Sequence, residues 1–212
     1  MRRLRHLALA YSCMAAVLTV TAAAQDPRLD RLSPEARAPV AALLDSARAA
    51  GLPIEPLMQR ALEGTAKRAA GELVVAAVRR LAADLGRART ALGRGSPAEL
   101  AAGAAALRAG APAEVLTALR RSRPSPLTVP LAVLTDLVAS GVPVDSATAA
   151  VLALAARTRD GDLVEFRRAV ERDIALGASP GAAVSAAALD AMATATTVPG
   201  PNGHQPSQPT RP

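Results

Sequence analysis

Apolar residues recur at intervals of three and four along most of this chain, and no segment alternates with period two. That spacing predicts helix almost throughout from Ser33 to about Ala195. The clearest case covers residues 72–92, where Val74, Val78, Leu81, Leu85, Ala88 and Leu92 form one apolar stripe. Arg79, Arg80 and Arg87 fall on the opposite face and read as solvated surface. Helix starts are marked by Ser33-Pro34, by a capping box at Ser96-Pro97-Ala98-Glu99, by Thr128, and by Ser179-Pro180. Asp162 to Glu165 resembles a second capping box, leading into a face of Leu163, Phe166, Val170 and Ile174. About nine helices result, most of them short. From Thr196 the text TTVPGPNGHQPSQPTRP holds too little apolar surface to bury, and predicts a disordered tail.

One pentapeptide pattern, Gly-x-Pro-x-acid, punctuates these helices. It occurs as Gly51-Leu-Pro-Ile-Glu55, Gly95-Ser-Pro-Ala-Glu99, Gly110-Ala-Pro-Ala-Glu114 and Gly141-Val-Pro-Val-Asp145. Glycine past a helix end takes the left-handed conformation that closes the last turn without steric cost. Proline two residues later stops the old helix and keeps the residue before it extended. The acid then lies where the next helix exposes its N–H groups, which favour negative charge. The pattern therefore reads as a joint between helices and not as a recognition motif.

The joints outline units of two helices each, and the Gly110 and Gly141 units are 31 and 36 residues long. The expected fold is all-α: a compact array of helix hairpins, either a helical bundle or a short irregular solenoid. In outline it resembles the α-solenoid class, although the aromatic consensus of tetratricopeptide repeats is missing. A basic pair closes the first helix of each unit: Lys67 and Arg68, Arg121 and Arg123, Arg157 and Arg159. Cations at helix C-termini offset the dipole and cap carbonyls. If the hairpins stack in register, the pairs instead line one edge and could hold an anionic partner.

The N-terminus sets the expected location. Arg2, Arg3 and Arg5 precede an apolar run over residues 7–20, and Ala22-Ala23-Ala24 offers a small-residue cleavage site. Residues 1–24 read as a secretory signal peptide cut between Ala24 and Gln25, with an uncleaved anchor helix as the alternative. Residues 25–33 form a polar lead-in, 34–195 one helical domain and 196–212 the tail.

Cleavage removes His6, Tyr11 and Cys13, leaving Phe166 as the one aromatic and His204 as the one histidine. With no cysteine in the exported chain, stability has to come from the core and not from disulfides. Triad and thiol catalysis need an imidazole in a rigid site, and structural zinc needs Cys or His at fixed spacing, so both are excluded from the helical body. The net charge of +7 falls to +4 without Arg2, Arg3 and Arg5. Scarce lysine beside abundant arginine points to genome composition as much as to an anionic partner. Export and the lack of aromatic platforms argue against nucleic acid.

Three smaller features have plain structural readings. Gly93-Arg94-Gly95-Ser96 lacks the spacing and lysine of a phosphate loop. Asp160, Asp162 and Glu165 are the densest acidic group, too few in oxygens for a calcium loop, and read as a capped turn. The overlapping Pro-x-x-Pro runs of the tail read as a spacer. The expectation is an exported, non-catalytic scaffold without cofactor or metal that engages an unidentified protein partner. A module binding an anionic envelope surface through arginine is the alternative, and an enzyme using only carboxylates, serine and arginine would need a polar pocket around Asp160, Asp162 and Glu165.

Overall fold

Each joint in the structure is built mainly from backbone hydrogen bonds, and the joints set the layout of the helices. The computed structural model describes residues 26–124 and 126–197. The expected signal segment with its expected Ala24–Gln25 junction, and the expected tail beyond Thr197, lie outside the described residues.

Among the described residues the chain forms a 3-10 turn, Pro27–Arg31, and nine α-helices without any strand. These are α1 (Pro34–Ala49), α2 (Glu55–Ala66), α3 (Gly71–Leu92), α4 (Pro97–Ala109), α5 (Ala113–Ser122), α6 (Thr128–Ala139), α7 (Val144–Ala155), α8 (Asp160–Ala175) and α9 (Pro180–Thr197). The all-α array expected from the periodicity is what the chain forms. The last helix continues two residues past the expected end of the domain at Ala195.

Packing arranges these helices in two rows. α1, α3, α5, α7 and α9 pack one on the next, and α4, α6 and α8 form a second row against them. α2 packs chiefly on α3. A single apolar core runs from Leu29 to Ala187. The six stripe residues of α3 are all buried in it, and α6 contributes fully buried Leu131, Leu134 and Leu137. Helices approach closely where side chains are smallest. A β-carbon built on Gly103 of α4 would lie 3.2 Å from the Ala88 β-carbon and 2.9 Å from the end of Leu92.

The joints follow one rule with one exception. At the ends of α1, α4, α6 and α8, Gly51, Gly110, Gly141 and Gly177 have φ of +66°, +107°, +87° and +100°. Each glycine N–H donates three residues back, and the N–H after it donates five back, as in Ala111 N to Ala106 O at 3.0 Å. That double closure is the Schellman motif. The residue after the glycine is apolar in each case (Leu52, Ala111, Val142, Ala178), and Ala111 and Val142 are buried. The Gly95 copy differs from the expectation: α3 ends at Gly93, φ +68°, and Gly95 lies in the linker before the Ser96 cap. Its proline and acid behave as expected, since Pro97 begins α4 and Glu99 closes the capping box. All four acids, Glu55, Glu99, Glu114 and Asp145, lie in first turns.

Two further starts differ from the sequence reading. α8 begins at Asp160, two residues before the expected cap, and the Asp162 carboxylate accepts from Arg159 N at 2.9 Å. Two first-turn carboxylates favour the earlier start through the helix dipole. Ser33 occupies the cap position of α1 by backbone geometry, but its hydroxyl makes no cap bond.

Candidate interaction surfaces

The structure separates the three basic pairs and gives them different tasks. Lys67 Nζ lies 2.6 Å from Glu63 Oε1, one turn back on α2. Arg68 takes the glycine position of a Schellman closure, with φ +55°, while Arg68 N donates to Thr65 O and Ala69 N to Gly64 O. This pair stands before the N-terminus of α3. The second pair ends α5, whose Arg120 Nε donates to Leu92 O at the far end of α3. α3 has 22 residues, so about 33 Å of helix separates the two. The second and third pairs do meet, because Arg123 Nη2 lies 2.7 Å from Asp160 Oδ1, directly after Arg159. Arg121, Arg157 and Arg159 are exposed at that corner. One shared edge through all three pairs does not exist.

A second constellation joins four helix ends. Glu99, 6% exposed, accepts from Ser96 N at 2.9 Å, Leu127 N at 2.9 Å and Arg120 Nη2 at 3.0 Å. Arg120 also donates to Leu92 O and Pro124 O. Desolvation by itself would raise the Glu99 pKa, but the backbone donors Ser96 and Leu127 together with Arg120 outweigh it and hold the carboxyl below its usual range. The sequence marked Glu99 as a cap, but its bonds to Arg120 and Leu127 span 21 and 28 residues and left no local signal. The same carboxylate occupies the α4 N-terminus behind Gly93-Arg94-Gly95-Ser96. An anion would meet a negative charge already in place there.

The acidic group of residues 160–165 divides. Asp160 faces Arg123, whereas Asp162 and Glu165 border a cleft of about 370 Å³ between α8 and α9. Phe166 and Ala169 of α8, with Ala187 and Ala191 of α9, supply its apolar lining. Among the described residues, Asp162, Glu165, Asp173 and Asp190 bring four carboxylates to it against one cation, Arg172. The lining hydroxyls are engaged locally, Thr158 with Leu154 O and Thr194 with Asp190 O, both at 2.9 Å. The described lining thus offers apolar contact and negative charge, and among the described residues it holds no histidine or cysteine. Among the described residues no group of three or more His, Cys, Asp or Glu side chains could hold a metal ion, and no helix is long and apolar enough to cross a membrane. Sequence periodicity placed Phe166 on a core face but could not see this cleft, which depends on how α9 lies against α8.

Compared with known proteins, the chain matches no protein family, no curated protein and no solved structure.

Proposed function

We propose that the chain is an exported, non-catalytic helical scaffold that presents helix faces to a protein partner. The observation that carries this reading is the last helix of the array. α9 has one charged residue, Asp190, in 18, its Leu189 is 73% exposed, and the cleft opens along its second half. A terminal helix of a stacked array needs a polar outer face when it meets only water, and on α9, the last helix of the described residues, Ala182, Ala186, Leu189 and Ala193 are exposed beside Ser185, Asp190 and Thr194. Export rests on the arginine-led apolar segment and the small residues before Gln25.

Purification of a C-terminally tagged chain from the envelope tests both parts. The expected product begins at Gln25 and carries one partner in stoichiometric amount. A product that retains Met1 would overturn the signal-peptide reading, and a chain recovered alone under mild conditions would overturn the scaffold.

A second reading, binding to an anionic envelope surface, is favoured by the exposed corner of Arg121, Arg157 and Arg159. It predicts salt-sensitive binding to anionic vesicles that is lost in the triple alanine variant. Equal binding by variant and wild type rules it out.

A further inference from the structure

The cleft between α8 and α9 lies where the array would receive its next helix. α8 turns one flank to α6, with Arg167 Nη1 3.2 Å from Asp136 Oδ2. Ala169 in the cleft lies about 200° round α8 from Arg167, at 100° per residue. Inside the array, a flank so placed is covered by the next helix of the same row, as α8 itself covers α6. Among the described residues, the helix beside that flank of α8 is the cleft's other wall, α9.

Charge and length specify what fits. In a chain of net charge +7, this lining carries four carboxylates and one arginine. Glu165 and Asp173 have arginine neighbours, Arg168 at 2.7 Å and Arg172 at 3.5 Å. Asp190, on the opposite wall, has no ion pair among the described residues. The α8 wall runs from Asp162 to Asp173, about 17 Å or three helical turns. We propose that this groove seats an amphipathic helix of a partner protein, about three turns long, with small apolar residues inward and arginine or lysine along its flanks. Such a helix would lay its apolar face over the half-buried Ala169 and Ala191, above the buried Phe166 and Ala187, while its cations meet acid on both walls. The assignment rests on the scaffold reading and names the chemistry of its partner.

The test uses the full chain and a fluorescein-labelled 14-residue peptide, with Ala and Leu at helical spacing and Arg on both flanks. A twin peptide carries Glu in place of Arg. Anisotropy should show saturable binding of the Arg peptide alone. Asp190→Asn combined with Glu165→Gln, both exposed positions, should weaken it at least about tenfold, and Ala191→Arg should abolish it. Circular dichroism of each variant verifies folding. Equal binding of the two peptides, or undiminished binding by the carboxamide variant, overturns the proposal. So does self-association of the wild type that Ala191→Arg abolishes, since the occupant is then a second copy. If Ala191→Arg still captures the wild-type partner from the envelope, the groove assignment fails while the scaffold reading stands.

Discussion

The two ends of the array are finished differently. At the N-terminal end the 3-10 turn folds Leu29 and Leu32 into the core, 5% and 3% exposed. Arg28 fastens it, with Nη2 2.8 Å from Asp26 and Nη1 2.8 Å from Glu55 of α2. α1 behind it carries a charged outer surface, including an Arg48–Asp45 pair at 2.6 Å. At the other end α9 is built of alanine, serine and threonine around Val184, Leu189, Asp190 and Met192, with a cleft beside it. A stack of helices is indifferent to which end it closes first, so the difference is not imposed by packing. Among the described residues, an ion-paired turn closes over buried leucines at the N-terminal end, while a cleft and an exposed leucine lie at the C-terminal end, where the proposed partner would sit.

Four substitutions and one change of pH can break or sharpen that contrast. Leu32→Ala should do most, lowering unfolding free energy by about 3 kcal/mol in urea titration, because a buried leucine leaves a cavity at the closed end. A loss under about 1 kcal/mol would mean that the 3-10 turn is not part of the cooperative core. Glu99→Ala, at the four-helix junction between the ends, should cost about 2 kcal/mol by leaving Leu127 N and Arg120 without their acceptor. Its contribution is present at neutral pH. It is lost as pH falls below the ordinary glutamate range towards the lowered folded value, since a depressed pKa stabilises only while the group is ionised.

The same sign holds at the closed end. Asp26 and Glu55 are both lowered chiefly by hydrogen bonds from Arg28. Acid should therefore loosen the 3-10 turn, and the protection factors of the Leu29 and Leu32 amides should fall below about pH 4. Unchanged protection at pH 3 would argue that burial of the two leucines holds the turn without Arg28.

Arg68→Gly should act in the opposite direction, raising stability by about 0.5–1 kcal/mol. Glycine relieves a left-handed arginine, and its extra freedom in the unfolded chain offsets part of the gain. Destabilisation would show that the Arg68 side chain has a partner role worth more than the strain. The smallest effect belongs to the open end, where Leu189→Arg should stay within about 0.5 kcal/mol of wild type. A large loss in the isolated chain would show that α9 is already covered in solution.

The helices and the joints were legible in the letters because both are local. Val74 to Leu92 reports its own period, and Ser96 and Glu99 sit three apart across one helix start. Arg68 hid its joint because the glycine that marks a left-handed residue is missing there, and its φ of +55° with the bond from Ala69 N to Gly64 O gives it away. Gly95 misled for the reverse reason: the pentapeptide is present, but Gly93 ends the helix first. The cleft and the Arg123–Asp160 contact were not legible. Each depends on which helix flank meets which, a matter of crossing geometry between segments distant in sequence.

The Schellman closures have a consequence for how such a chain can change in length. Each closes its own helix end with two backbone bonds from the glycine and the residue after it. A hairpin lying between two such closures could therefore be excised or duplicated in frame without unfinished carbonyls at the splice. Length would be the variable quantity in this architecture, and the two dissimilar ends would have to travel with the chain unchanged.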